Sequence, residues 1–293
     1  MVDWSARNLD IAELAKQRLF FVGGAPRSGT TWLQQLLDSH PDMCCQGEGL
    51  FLQQLAVPLE KAMVERAGVI DAKNKKLFRH TGGYPLPLAA DVEFLMGTAV
   101  LLALKQQTAG KRYLAVGEKT PENVFFYPRL KQLFPTARFI SIARDPRDVL
   151  TSAWHFFQPP VPDGDETKAK LGFIRGALPS LGEGARKMME FHQKNPAEHM
   201  VVTYDGLRKT PEPILGEMFR FLGVPDRDDI VSACLEKTAF ANQTGGRPAG
   251  VEQNGSFHRK GEVGAWRSTL TDEMSDIIMA ELGWMFPLFG WTR

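Results

Sequence analysis

One stretch of the sequence, "FFVGGAPRSGTTWLQQLL" (residues 20–37), carries basic and hydroxyl side chains in a glycine-rich turn between an apolar run and a helical pattern. Backbone N–H groups at a helix N-terminus attract anions, and the helix dipole adds to that attraction. Arg27 offers a fork of N–H donors, and the hydroxyls of Ser28, Thr30 and Thr31 offer more. The stretch therefore predicts an anion-binding loop.

This loop differs from the phosphate loop of nucleotide triphosphatases. Gly24 and Gly29 have the spacing of G-x-x-x-x-G-K-[ST], but Thr30 stands where the lysine would follow the second glycine. The basic residue is Arg27, inside the loop. The pattern thus argues against a magnesium-bound triphosphate as the anion.

Two further basic segments could bind an anion. Arg144 ends the apolar run "ISIAR", and Asp145 after it is a good N-cap for a helix that begins with proline. Arg259 and Lys260 precede a glycine in the glycine-rich segment 241–264. Taken alone, Arg144 could equally be an ion-pair partner, and Arg259 with Lys260 could be a solvated pair of charges.

Short apolar runs that alternate with helical patterns predict the scaffold. The strand-like runs are "RLFFVGG", "YLAVGEK", "ARFISIAR" and "HMVVTYDGL". This alternation predicts one α/β domain over residues 1–293, with a central parallel sheet flanked by helices and a P-loop-like nucleotide-binding core. Ligands of such sheets bind beyond the carboxyl ends of the strands. Residues 68–90 and 158–166 are rich in proline and glycine and are expected to be surface loops.

The composition limits the partners. Lys and Arg number 35 against 34 Asp and Glu, which leaves a net charge of +1 and no general attraction to nucleic acid or an anionic membrane. Three cysteines give no disulfide framework, and the longest apolar run is too short to cross a bilayer. We therefore expect a cytoplasmic protein.

The three basic segments, in this order, resemble those of the sulfotransferases that use 3′-phosphoadenosine 5′-phosphosulfate (PAPS). "PRSGTTWL" is similar to the family's 5′-phosphosulfate loop, "ARDPRDVLTSAWHF" to its 3′-phosphate element and "FHRKGEVGAWR" to its closing motif. The resemblance implies a nucleotide site without a metal ion, and 3′,5′-adenosine bisphosphate (PAP) as the product. The implied cofactor-binding residues are Arg27, Ser28, Gly29, Thr30, Thr31, Trp32, Arg144, Ser152, Tyr204, Thr238, Phe240, Arg259, Lys260 and Gly261.

The catalytic base departs from the cytosolic pattern of the family. In "GEKTPEN" Lys119 is present, but Pro121 stands where many cytosolic members have the histidine base. "CCQGEGLFL" resembles instead the C-G-E element of protein-tyrosine sulfotransferases and several bacterial members, which makes Glu48 the expected base. Arg27 and Lys119 complete the expected catalytic set. The rival bases are Glu118, which lies beside Lys119 and could simply pair with it, and the histidines His80, His155 and His258.

The resemblance thus implies transfer of a sulfonate group from PAPS to a hydroxyl or amine. A small molecule is the expected acceptor, with a peptide or carbohydrate as alternatives, and a homodimer is left open. A P-loop small-molecule kinase is the alternative enzyme, although such a kinase would require a lysine directly after Gly29, where this sequence has Thr30. A nucleotide-binding module without catalysis is the third reading.

Overall fold

A computed structural model describes residues 1–161, 164–239 and 262–292 of the chain. Its centre is a five-stranded sheet in which every pairing is parallel. The strands, in the spatial order β2-β3-β1-β4-β5, are β1 (Arg18–Gly24), β2 (Met43–Gly47), β3 (Ala115–Lys119), β4 (Arg138–Ala143) and β5 (His199–Thr203). Because all strands run the same way, their carboxyl ends meet at one edge of the sheet.

Helices connect these strands and cover both faces of the sheet. They are α1 (Trp4–Ala15), α2 (Thr30–Asp38), α3 (Val57–Leu77), α4 (Ala89–Gln107), α5 (Asn123–Leu133), α6 (Pro146–Phe157), α7 (Glu166–Lys194), α8 (Tyr204–Lys209), α9 (Pro211–Leu222), α10 (Asp228–Lys237), α11 (Asp272–Leu282) and α12 (Met285–Phe289). A π-helical segment, Phe51–Ala56, leads into α3, and a 3₁₀ turn, Ala265–Ser268, precedes α11.

The central strand β1 shows how the sequence builds both layers. Successive strand side chains point to opposite faces. Phe20 and Val22 pack with α2, α9 and α10, whereas Leu19 and Phe21 pack with α1, α4, α5 and α7. All four are at least 96% buried, and full burial of such a side chain contributes about 1.5–3 kcal/mol. This double burial explains why the run "RLFFV" is apolar throughout.

The edge strand β2 is not predicted by the sequence; it pairs in register with β3 from Met43 opposite Ala115. One prediction about a segment was wrong: residues 68–90 are predicted to be a surface loop, but residues 68–77 complete α3 and residues 89–90 begin α4. None of the residues of α3 is buried, so the segment lacks the apolar stripe by which a helix is recognised.

Outside the sheet, α6, α7 and α11 share a separate apolar cluster that includes Leu150, Leu178 and Ile278. This cluster fixes α6 beside the carboxyl end of β4. Among the described residues, no helix is long and apolar enough to cross a membrane.

Candidate functional site

The loop after β1 has the backbone shape of an anion-binding turn. Arg27 has a φ of 69° and Gly29 a φ of 103°, and α2 starts directly afterwards at Thr30. A Cβ atom on Gly29 would lie 2.7 Å from the ring of Tyr204, so a side chain there would be strained and would clash. The first N–H groups of α2 have no partner within the helix and face the carboxyl edge of the sheet.

Local hydrogen bonds hold the loop in place. The hydroxyl of Ser28 is buried and donates to the carbonyl oxygen of Ala25 at 2.6 Å. The N–H of Gly24 donates to the carbonyl oxygen of Pro121 at 3.0 Å, which ties the loop to the end of β3. In this arrangement the Ser28 hydroxyl stabilises the loop itself, and its contact with a bound anion stays a prediction.

Arg27 faces α6. Its Nε lies 3.4 Å from the hydroxyl oxygen of Ser152, and its guanidinium group lies 4.2 Å from the ring centre of Phe156. Arginine over an aromatic face is held in place by a cation–π attraction. The structure thus brings together the two residues that the sequence assigned to the 5′ and 3′ ends of the donor, Arg27 and Ser152.

The end of β3 brings a lysine and a glutamate together. Lys119 Nζ lies 2.6 Å from Glu48 Oε1 and 3.2 Å from Thr31 Oγ1. The Lys119 side chain is 3% exposed, whereas the Glu48 side chain is 44% exposed. A buried ammonium group therefore joins the start of α2 to an accessible carboxylate beyond β2.

Glu118 does not pair with Lys119, contrary to the alternative that the sequence suggested. The two adjacent residues point to opposite faces of β3. The buried carboxylate of Glu118 accepts hydrogen bonds from the N–H of Gly49 at 2.8 Å, the hydroxyl of Thr120 and the amide of Asn123 at 2.9 Å. Burial raises the pKa of Glu118, and these hydrogen bonds oppose the rise.

Arg144 lies where β4 ends, with only 10% of its side chain exposed. It donates to the carbonyl oxygens of Arg27 at 3.3 Å and Glu262 at 2.9 Å, and its guanidinium stacks 4.2 Å from the ring centre of Tyr204. Its buried Nε has no hydrogen-bond partner among the described residues. Because an unsatisfied buried donor is costly, this atom marks a place for an acceptor group.

Sequence reasoning missed Asp148, which organises the same region. Its fully buried carboxylate accepts hydrogen bonds from the N–H groups of Gly264 at 2.7 Å and Trp266 at 3.0 Å. An acidic residue in the first turn of a helix is common, so nothing local distinguishes this one. Asp148 thereby anchors the last residues of the predicted closing motif to the start of α6.

Arg147 links α6 to the C-terminal part of the chain. Asp145 caps α6 as predicted, accepting from the N–H of Arg147 at 2.9 Å, and also pairs with the guanidinium of Arg147 at 2.7 Å. That guanidinium is sandwiched between Trp266 and Phe286, at 3.8 and 4.7 Å from their ring centres. Arg147 therefore fixes the C-terminal helices to α6.

The predicted adenine contacts are only partly described. Trp32 and Tyr204 meet edge to face with their ring centres 5.7 Å apart, and the guanidinium of Arg208 lies 5.6 Å from the Trp32 ring centre. The hydroxyl of Thr238 donates to the carbonyl oxygen of Cys234, inside its own helix, at 2.8 Å. Four predicted cofactor-binding residues lie outside the described residues. They are Phe240, which is an adenine contact, and Arg259, Lys260 and Gly261, which belong to the closing motif.

The rival histidines are placed as follows. His80 is exposed in the turn after α3. His155 lies on α6 and interacts electrostatically with Glu166 at the start of α7. His258 lies outside the described residues.

An apolar cavity of about 280 Å³ lies beside the loop, between α5, α6 and α7. The loop residues Gly24, Ala25 and Pro26 form part of its wall, and Glu122 and Arg144 are its charged residues. Apart from Ser180, the rest is hydrocarbon and aromatic surface, including Phe125, Phe157, Phe173 and Met188. In the described parts of the chain, no three His, Cys, Asp or Glu side chains come together in a way that could hold a metal ion.

Comparison with known sequences identifies the family. A sequence model of the "Sulfotransferase family" matches residues 20–229, well over half of the chain. Protein-tyrosine sulfotransferase 1 of Danio rerio is 25% identical over 223 residues, which are 73% of this chain and 55% of that protein. Cytosolic sulfotransferase 12 of Arabidopsis thaliana is 28% identical over 158 residues, which are 49% of this chain and 48% of that protein. The chain thus spans about half the length of these two relatives.

Solved structures confirm the predicted α/β fold with its central parallel sheet. Mouse sulfotransferase SULT7A1, solved in complex with PAP, superposes with a TM-score of 0.55 at 18% identity, over 94% of this chain and 88% of that one. Sulfotransferase STF9 from Mycobacterium avium gives a TM-score of 0.53 at 14% identity, over 98% of this chain and 81% of that one. At these identities the likeness shows the fold, and the sequence match over residues 20–229 shows that the chain belongs to the sulfotransferase family.

Proposed function

We propose that this chain transfers a sulfonate group from PAPS to a hydroxyl group, with Glu48 as the general base. One observation carries the proposal: the accessible carboxylate of Glu48 and the buried ammonium of Lys119 meet at 2.6 Å, beside the first turn of α2. A base, a cation and an anion-binding helix start are the three groups that sulfonate transfer needs.

The residues of the site fit a donor with phosphates at both ends. Arg27 and the start of α2 would hold the 5′-phosphosulfate, with the cation and the helix dipole attracting the same anion. Arg144 and Ser152 would hold the 3′-phosphate, and the Nε of Arg144, which has no partner in the described ranges, is a donor that such a group could satisfy. Arg259, Lys260 and Gly261 are proposed to contact the same phosphate. Trp32, Tyr204, Thr238 and Phe240 are proposed to contact the adenine.

The donor supplies an activated sulfonate and a good leaving group, PAP. Glu48 accepts the proton as the acceptor oxygen forms its bond to sulfur and the bond from sulfur to the phosphate oxygen breaks. Lys119 and Arg27 donate hydrogen bonds to the oxygens on which negative charge grows. Such preorganised donors stabilise charge most strongly in a site that excludes water. The side chains of this chain would thus supply both the proton transfer and the charge stabilisation.

The apolar cavity is the proposed site of the acceptor. Its wall includes the loop residues Gly24 to Pro26 but neither Glu48 nor Lys119, so only the apolar body of the acceptor is proposed to lie in it, with the hydroxyl group directed to Glu48. Its hydrocarbon lining suits the apolar body of a small molecule and offers little to an acidic peptide or a carbohydrate, which need many polar partners. We therefore propose a small apolar alcohol or phenol as the acceptor.

Incubation with sulfur-labelled PAPS and a panel of alcohols, phenols, amines, tyrosine peptides and sugars tests this function. Parallel reactions with magnesium and ATP test the kinase alternative. We expect label on an alcohol or phenol and PAP as the second product. Transfer from ATP, or binding of PAPS without any transfer, would favour the kinase or the non-catalytic module.

A further inference from the structure

Glu118 is a buried carboxylate whose hydrogen bonds converge on the turn that carries Glu48. Its side chain lies on the α5 face of β3 and is 2% exposed. One oxygen accepts from the N–H of Gly49, the residue directly after Glu48, at 2.8 Å. The same oxygen accepts from the Thr120 hydroxyl, and that hydroxyl oxygen in turn accepts from the N–H of Leu50 at 3.3 Å. Two successive N–H groups after Glu48 are therefore held by Glu118 and Thr120.

The other carboxylate oxygen of Glu118 connects this turn to the sheet. It accepts from the amide of Asn123 at 2.9 Å, and the same amide donates to the carbonyl oxygen of Val22, on β1, at 3.1 Å. Val22 lies two residues before the anion-binding loop. The network thus joins the phosphate-loop strand, the start of α5 and the Glu48 turn through one buried carboxylate.

Burying a carboxylate costs free energy unless its oxygens are satisfied. If Glu118 served only to stabilise the strand, an apolar side chain would fill the position at a lower cost in folding free energy. Glu118 itself cannot meet an acceptor, since it is buried on the face of β3 opposite to Lys119.

We propose that Glu118 is a positioning residue, which fixes the 48–50 turn so that the Glu48 carboxylate stays within reach of Lys119 and the acceptor. This inference rests on the proposed function of Glu48 as the base. It assigns Glu118 an effect on proton transfer that passes entirely through Glu48.

The test uses Glu118→Gln in the full chain, alone and combined with Glu48→Gln. The glutamine fills the same volume but has one acceptor oxygen in place of two. Whichever way its side chain lies, its NH₂ group meets either the amide of Asn123 or the N–H of Gly49, donor against donor, so the network that holds the turn is disturbed. A misplaced catalytic group can cost on the order of 10²-fold, so we expect that loss in kcat for an aliphatic alcohol. The affinity for PAP, measured by calorimetry, should stay within about threefold of the wild-type value, which is about the scatter expected when two sites act independently.

Two readouts separate positioning from a merely structural effect. With a nitrophenol acceptor, whose oxygen needs little help from a base, the loss should shrink to about threefold or less. In the Glu48→Gln background, Glu118→Gln should lower kcat by no more than about threefold, because the pathway through Glu48 is already gone. Ser141→Ala is the matched control: Ser141 lies on β4, and the change removes its buried hydrogen bonds to Tyr127 and His199 and should leave the dependence on the acceptor unchanged.

Thr120→Val removes the hydroxyl bond to Leu50 at nearly constant volume and carries the same test if Glu118→Gln does not fold. The inference is overturned if the losses from Glu48→Gln and Glu118→Gln multiply, or if the alcohol and the nitrophenol suffer equally. A wild-type chain that transfers no sulfonate at all would overturn the proposed function before any variant is compared.

Discussion

The ammonium group of Lys119 lies 2.6 Å from the Glu48 carboxylate, although 71 residues separate the two positions in the chain. Lys119 is buried at the end of β3, and Glu48 is the accessible partner. In this structure the proposed base is thus engaged by the cation that is proposed to stabilise the transferred group. A donor anion that attracts Lys119 would weaken this pair and leave the carboxylate available to the acceptor.

Lys119→Met removes the charge and retains the length of the side chain. Loss of one preorganised donor typically costs about 10²–10³-fold in turnover, and we expect that loss here. Steady-state kinetics with saturating PAPS measures it, and calorimetry with PAP, which has no sulfonate, should show a smaller effect on binding. Equal turnover of the variant and the wild type would remove Lys119 from the catalytic set.

Arg27→Ala should lower turnover by about 10²–10³-fold, because the planar fork of donors in the loop is lost. Arg27→Lys should recover part of that loss, since the charge remains. Arg220 is an exposed residue of α9 that pairs with Asp226, and Arg220→Ala is the matched control. If Arg27→Ala turns over like this control, the loop assignment is wrong.

Arg144 should determine the preference for a nucleotide with a 3′-phosphate. The wild type is expected to bind PAP more tightly than adenosine 5′-monophosphate, and Arg144→Lys should lose about 1.5–3 kcal/mol of that difference, which is typical of a hydrogen bond to a charged group. Calorimetric titrations with both nucleotides measure the difference. An unchanged preference would place the 3′-phosphate elsewhere.

His199 predicts a loss of stability in mild acid. It is 1% exposed, its Nε2 lies 2.9 Å from Ser141 Oγ, and burial lowers its pKa from 6.5 to about 3, with His192 adding to the effect. A depressed pKa means that the unfolded chain takes up the proton first. The stabilisation from neutral His199 is therefore complete above pH 6.5 and is lost as the pH falls towards 3.

Each pH unit below about 6 should cost up to about 1.4 kcal/mol of unfolding free energy from this residue. Urea unfolding at several pH values between 7.5 and 4.5 measures the slope, and His199→Gln should flatten it relative to the wild type. Parallel slopes for the two proteins would show that His199 is not buried in its neutral form.

The sequence predicted the local structure around the site. The glycine-rich turn after β1, the N-cap Asp145 and the strands β1, β3, β4 and β5 follow from apolar runs and helix-start residues, which are local patterns, whereas anion binding by the turn stays a prediction. Strand β2 was not predicted because "MCCQG" has no β-branched residue. Its pairing with β3 also depends on residues that lie more than 60 positions away in the sequence.

Contacts between distant segments were beyond local patterns. The Glu118 bond to Gly49 spans 69 residues, and the Asp148 bond to Gly264 spans 116. The sequence places Glu118 beside Lys119, but the alternation of side chains along β3 puts them on opposite faces. Candidate residues can thus be read from motifs, whereas their partners require the fold.

The most direct test of the account is single-turnover transfer from sulfur-labelled PAPS to an aliphatic alcohol, with wild type and Glu48→Gln side by side. A positioned carboxylate base supplies about 10²–10⁴-fold, so the wild type should place the label on the alcohol while the variant binds PAPS but transfers at least about a hundredfold more slowly. A Glu48→Gln variant that transfers the label as fast as the wild type would contradict the account.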